Sequence, residues 1–178
     1  MSTLFSDRSL RRAGPIRLAV FDVDGVMTDG RLYYSENGVE SKAFNTRDGL
    51  GLKALMHHDI QVAIITARQS GIVSRRASEL GIAHLMQGRE DKRQALDELL
   101  TELGLEAEQA AYTGDDLVDW PAMSRCGLKC VPADANHWLI EQADHVTTNG
   151  GGRGAVREVC ELILAGQDLL EGWQESFR

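Results

Sequence analysis

Residues 18–30 read LAVFDVDGVMTDG, so that four apolar residues lead directly into Asp22, Asp24 and Asp29. An apolar run of this kind, bounded by turn residues, reads as a buried strand. Unpaired charge at a buried strand end costs roughly several kcal/mol per group, so these carboxylates call for a balancing partner. Asp22 and Asp24 are two residues apart, and at a strand end their side chains can project to the same side. Gly25 then lets the main chain turn sharply. A second acidic cluster, Asp115, Asp116 and Asp119 in TGDDLVDW, follows another strand-like run. Two carboxylate clusters at one edge of a sheet suit a hard divalent cation, and magnesium takes a few carboxylates, waters and a phosphate oxygen.

Two further strand exits add to the set. VAIITAR ends in the hydroxyl of Thr66 and in Arg68, and GREDKRQAL places Lys92 near the start of a helix. A hydroxyl, an ammonium and a cation converging on one carboxylate describe phosphoryl transfer, because they neutralise and orient the equatorial oxygens. On this reading Asp22 attacks phosphorus and becomes an aspartyl-phosphate. Asp24 protonates the leaving alkoxide and then deprotonates the hydrolytic water. The two carboxylates therefore need unequal environments. Each element alone is ordinary: DxD is often a loop with a capping aspartate, and GDD often marks a turn. A lysine beside Arg93 is commonly a solvated helix face. The order is what is uncommon, with each element at a strand exit.

Positioning these residues falls to short apolar runs at 16–21, 62–66, 83–86, 110–113, 128–131 and 145–147. Helical stretches lie between the later ones; Leu96, Leu99, Leu100 and Leu103 make one stripe, with Gly104 as its stop. Strands alternating with helices predict an α/β fold, a Rossmann-like parallel sheet with helices on both faces. Ligands bind such sheets at the carboxyl ends of the strands, at a switch point, where Asp22 and Asp24 fall. RLYYSENGVESKAFN (31–45) breaks the alternation as a β-hairpin around Asn37-Gly38. Its Leu32, Tyr33, Tyr34, Val39 and Phe44 are apolar, and a two-stranded ribbon is marginal alone. We expect it to pack on another subunit, the alternative being its own domain.

The whole chain, 1–178, reads as a single domain: a core at about 16–160, the hairpin, and a C-terminal helix and tail over 155–178. Apolar residues make up 43%, and the net charge of −8 argues against a nucleic-acid surface. The first fifteen residues carry no apolar signal region, and no run is long enough to span a membrane. Cys126, Cys130 and Cys160 read as small core residues in a reducing cytoplasm. Gly150, Gly152 and Ala155 match a GxGxxA pattern, but a dinucleotide fingerprint follows the first strand and this one comes last. We expect no nucleotide cofactor there, and instead a flexible closing segment with Arg153 near a phosphate or carboxylate.

The ordered set DVDGV (22–26), IIT (64–66), Lys92 and GDDLVD (114–119) resembles the haloacid dehalogenase superfamily of phosphatases. The resemblance covers about residues 16–160 and implies Asp22 as nucleophile and Asp24 as acid/base. It implies Thr66 and Lys92 as phosphate clamps, and Asp22, Asp115 and the Asp24 carbonyl as magnesium ligands. The gaps between motifs leave no room for a cap domain. DGVMTDG, KAFNTRDGLGLK, GDDLVDWPAM and GGRGAVREVCELIL are similar to one cap-less family, the phosphatases of 3-deoxy-D-manno-octulosonate 8-phosphate. That resemblance implies a cytoplasmic homotetramer joined by hairpins, working in lipopolysaccharide synthesis, with the C-terminal segment over a neighbour's site. It also implies that Asn45, Thr46, Arg47, Asp48, Gly49, Lys53, Arg68 and Arg76, with Asp24 and Lys92, hold the sugar acid. Arginine suits the carboxylate of such a substrate through paired hydrogen bonds. Ala67, Thr113 and Lys53 depart from the family's usual glycine, apolar residue and arginine.

Other readings share parts of the pattern. A receiver-like signalling module would place its phosphorylated aspartate after the third strand, where this chain has HLMQG. A phosphomutase needs a cap to exclude water. A phosphatase of a nine-carbon, sialic-acid-type 9-phosphate is the nearest alternative.

Overall fold

A computed structural model describes residues 5–178. The chain opens with α1 (Asp7–Ala13) and β1 (Leu18–Phe21), then makes the hairpin β2 (Tyr33–Tyr34) and β3 (Glu40–Ser41). There follow α2 (Thr46–His57), β4 (Gln61–Ile65), α3 (Gly71–Leu80), β5 (His84–Met86) and α4 (Lys92–Leu103). The second half runs β6 (Ala110–Thr113), α5 (Trp120–Met123), β7 (Leu128–Val131), α6 (His137–Gln142), β8 (His145–Val146), α7 (Ala155–Gly166) and α8 (Leu170–Glu175).

All six of the predicted apolar runs become strands of one sheet, ordered β5-β4-β1-β6-β7-β8 and parallel throughout. Every residue of β1 is buried, as a central parallel strand requires. Its end is in register with Ile64 on one side and Thr113 on the other. From β1 the chain builds outward first to one edge and then to the other, so the switch point lies at the exit of β1.

Alternate side chains divide between two cores. Ala19, Phe21, Val62 and Ile64 pack with apolar residues of α1, α2, α3 and α7, whereas Leu18, Val20, Ala63 and Ile65 pack with α4, α5 and α6. The leucine stripe of α4 faces inward as predicted, and Gly104 closes the helix at φ 65°. The three cysteines are buried and free. No cap domain stands over the sheet edge among the described residues, and no described helix is long and apolar enough to cross a membrane. Residues 1–4 of the polar N-terminal stretch lie outside the described residues.

The hairpin forms around Asn37-Gly38, with Gly38 at φ 76°, but its ladder is short: Tyr33 pairs with Ser41 and Tyr34 with Glu40. Leu32, Tyr33, Tyr34 and Val39 remain exposed and do not pack on their own domain, whereas Phe44, the fifth apolar residue of the segment, packs against the domain's own core. The C-terminal run differs from the tail expected for it. It folds back as α8, burying Trp173 against the core, with the Arg157 guanidinium 4.6 Å from the centre of its ring. The buried indole and the cation above it hold this six-residue helix together with Leu169 and Leu170, which pack on the same core. Trp173→Ala is expected to destabilise the protein by about 2–4 kcal/mol in urea denaturation; an unchanged midpoint would mean that the segment is a tail after all.

Candidate active site

The main chain leaves β1 with Asp22 N donating to Thr113 O at 3.0 Å, which holds the ends of β1 and β6 level. Residues Val23–Met27 then wind into a tight turn, broken at Gly25 by a φ of 89°. A side chain at position 25 is excluded twice, since a Cβ there would also lie 2.0 Å from Asp115 Oδ2. Thr28 closes the turn: its amide donates to Val23 O at 3.0 Å, and its hydroxyl accepts from Gly25 N and Gly30 N.

Between this turn and the one after β6, Asp22, Asp115 and Asp119 bring one carboxylate oxygen each within 4.8 Å of one another. Lys92 Nζ stands 3.0 Å from Asp22 Oδ1 and 2.6 Å from Asp119 Oδ1. Lys92 is the first residue of α4, where the helix dipole disfavours a cation. The carboxylates explain its placement. Burial works against its charge, but Asp22 and Asp119 outweigh burial and raise its pKa. The carboxylates feel the opposite balance. Burial and then repulsion from Asp119 push Asp22 up to about 7, and burial with repulsion from Asp22 and Asp119 pushes Asp115 up to about 7.

Asp119 is fully engaged by protein donors. Its Oδ1 accepts from Lys92 and from Tyr112 OH at 3.2 Å, and its Oδ2 accepts from Asp115 N and, at 3.4 Å, Asp116 N. The oxygens free to ligate a cation therefore lie on Asp22 and Asp115. Three carboxylates against one ammonium leave a deficit that one divalent cation would neutralise, so the residues present fit such an ion. The role of Asp119 in holding Lys92 went unassigned in the sequence reading, although the spacing GDDxxD carried the signal.

The other predicted residues sort into three groups. Thr66 is buried at the exit of β4, its main chain bonded to Met86 O and Arg89 N. The Asp24 carboxylate takes no part in the three-carboxylate cluster; its Oδ1 accepts from Lys42, and its Oδ2 faces Arg68 Nε at 3.9 Å. Arg68 also donates to Glu40 at 2.7 Å and to Tyr34 OH at 3.1 Å. No spacing signal in the sequence pointed to Lys42.

The third group holds two segments together. Asn45 caps α2 by accepting from Arg47 N and donates to Gly152 O at 3.3 Å. Arg47, exposed like Thr46, donates to Arg153 O, and Asp48 Oδ1 accepts from Arg157 N at 2.9 Å. Gly49 is buried beneath Arg76, whose guanidinium also lies over the Phe44 ring. Lys53 is exposed on α2. No contact joins Lys53 or Arg76 to the carboxylate cluster among the described residues. The glycine segment, expected as a flexible closing element, packs closely on the Asp22 turn in this structure. Gly152 N donates to Val26 O, and a Cβ on Gly151 would lie 2.0 Å from Gly25 O, so the segment is wedged against the Asp22 turn as a brace.

A carboxylate at the switch point, clamped by a buried lysine and ringed by two more carboxylates on an uncapped parallel sheet, defines a haloacid dehalogenase-like hydrolase. The model of that family matches residues 70–158. The chain is 53% identical to the 3-deoxy-D-manno-octulosonate 8-phosphate phosphatase of Yersinia pestis over 94% of its length and 89% of the relative's. The corresponding protein of Escherichia coli is 50% identical over 91% of this chain and 86% of its own. The crystal structure of the Moraxella catarrhalis phosphatase, in complex with a magnesium ion, a phosphate ion and the octulosonate, superposes with a TM-score of 0.95 at 43% identity. The match covers 98% of this chain and all of the other. The chain belongs to the family of 3-deoxy-D-manno-octulosonate 8-phosphate phosphatases.

The second oxygen of Asp48 is buried without a partner, and burial pushes this carboxyl up to about 6. Because the folded value lies above that of the unfolded chain, the native state takes up the proton first as pH falls. The penalty is therefore full above the folded value and is relieved as pH drops through 6 towards 4. Asp48→Asn is expected to gain about 1–3 kcal/mol over the parent above neutral pH. That gain should fade below about pH 5, as read from urea denaturation across a pH series.

Proposed function

We propose that this protein is a phosphoric monoester hydrolase that converts 3-deoxy-D-manno-octulosonate 8-phosphate to the free sugar acid and phosphate, with magnesium as cofactor. One observation carries the chemistry: Asp22, at the exit of β1, is held by Lys92 beside two further carboxylates, and one ammonium leaves the three-carboxylate cluster short of positive charge. The substrate follows from family membership at 53% identity across nearly the whole chain. Asp22, Asp115 and the Asp24 carbonyl would hold the magnesium ion, which when bound supplies positive charge against the transferring phosphoryl oxygens.

The chain's own residues then divide the work. Lys92 and the Thr66 hydroxyl orient the phosphate. The Asp22 carboxylate attacks phosphorus, the bond from phosphorus to the sugar oxygen breaks, and Asp24 gives that oxygen its proton. Asp24 then takes a proton from water, whose oxygen attacks phosphorus and frees Asp22 and inorganic phosphate. Asn45, Thr46, Arg47, Asp48, Gly49, Lys53, Arg68 and Arg76 make up the proposed sugar-acid site. Arg68 beside Asp24 supports this placement, whereas the Asp48 carboxylate, turned towards α7, supports a part played through the main chain of its turn.

The uncovered apolar side chains of the hairpin, Val39 at 64% exposure among them, support assembly as a homotetramer through this ribbon. Cytoplasmic work in lipopolysaccharide synthesis accords with the substrate.

Magnesium-dependent phosphate release from the octulosonate 8-phosphate should exceed that from a nine-carbon 9-phosphate or a hexose 6-phosphate by several hundredfold in kcat/KM, about 3–4 kcal/mol. Asp22→Asn should abolish release, and a chelator should do so reversibly. Equal slow rates on all three esters would keep the phosphatase and sink the substrate. Leu32→Glu with Val39→Glu should shift the mass in sedimentation from tetramer to smaller species, and an unchanged monomer in both proteins would refute the assembly.

A further inference from the structure

Beyond Phe44 at its base, the hairpin touches the body of its own domain through charge. Every residue from 31 to 43 is exposed or half-buried, yet the Lys42 side chain is only 2% exposed. Its ammonium donates to Asp24 Oδ1 and stands 3.4 Å from Glu40 Oε1. Glu40 Oε1 in turn accepts from Arg68. Covering an ammonium in this way costs roughly several kcal/mol and persists only against well-placed carboxylates. A ribbon with its apolar side chains in solvent gains no core from such a residue.

The contact is also selective. Lys42 occupies Asp24 Oδ1, whereas the nearest cation to Oδ2 is Arg68 Nε at 3.9 Å, beyond hydrogen-bond distance. One oxygen of the acid/base is clamped, and the other is left to exchange a proton.

We propose that Lys42 is a positioning residue for the reaction. It fixes the Asp24 carboxylate in the orientation from which its free oxygen serves first the leaving sugar oxygen and then the water, and Glu40 with Arg68 holds Lys42 in place. The seat of the hairpin thereby sets the aim of the acid/base. This rests on the role proposed above for Asp24.

The test is a double-mutant cycle of Lys42→Met and Asp24→Asn, with Lys42→Arg alongside, on the octulosonate 8-phosphate and on p-nitrophenyl phosphate. Lys42→Met should lower kcat about a hundredfold, the scale of a misplaced catalytic group, and leave KM within about threefold. Lys42→Arg should recover about tenfold of that loss, since it keeps the charge. In the Asp24→Asn background, Lys42→Met should add less than about threefold, because the two act as one unit. A raised KM at constant kcat would make Lys42 a substrate contact and overturn the proposal. Additive losses would overturn it too, as would an Asp24→Asn enzyme of normal rate. If Lys42→Met does not fold, Glu40→Gln is the milder probe; it should lower kcat several-fold without raising KM, and a normal kcat would count against the clamp. Failure of the parent enzyme on the octulosonate ester with activity on the aryl ester would sink the substrate alone, and the cycle would then be read on the aryl ester.

Discussion

Three carboxylates meet one ammonium at the exit of β1, and the excess negative charge has no protein partner. Much of the structure answers to this constraint. The sheet must be parallel and must switch direction beside β1, so that the turns after β1 and β6 face each other across the same edge. Helix α4 must begin with a lysine although its dipole disfavours one there. Asp119 must be saturated by Lys92, Tyr112 and two amides, which keeps that lysine in place and leaves Asp22 and Asp115 as the groups with oxygens to spare. Burial raises the cost of the arrangement and also raises what a divalent cation and a phosphoryl group gain on entering it.

Holding such a cluster needs a stiff frame, and the frame comes from far along the chain. The glycine segment at 150–154 lies against the turn at 22–28 so closely that Gly151 has no space for a methyl group. Asn45, Arg47 and Asp48 at the start of α2 bind the same segment and the first turn of α7. The two sequence stretches KAFNTRDG and GGRGAVRE therefore support each other, and together they back the main chain of the Asp22 turn. Groups aimed at developing charge are effective only when they are positioned in advance.

The hairpin answers to a different demand. Its outer apolar side chains find nothing to bury them within the domain, whereas its inward charges reach Asp24 and Arg68. Apart from Phe44 at its base, the ribbon is docked by ion pairs and not by core packing, which links its position to the chemistry beside it. Reading the ribbon from its apolar residues alone gave the outer half of this account and missed Lys42.

The strands, the leucine face of α4 and the Asn37-Gly38 turn were legible because periodicity and turn chemistry act over a few residues, and nothing in the tertiary structure overrode them. That Asp22, Lys92 and Asp115 come together was legible for a related reason: each follows a strand, and parallel pairing sends all strand exits to one edge, the edge at which Thr66 also ends β4. Local pattern together with topology thus determined, from sequence alone, the fold and the edge at which these groups meet. Contacts between residues more than a hundred apart were not legible. Only the tertiary structure decided that the GxGxxA run is a brace, that the C-terminal run packs through Trp173, that Asp48 turns towards α7 and that a hairpin lysine sits on Asp24. Each depends on close packing and charge pairing across the chain, and such pairings leave no period in the sequence.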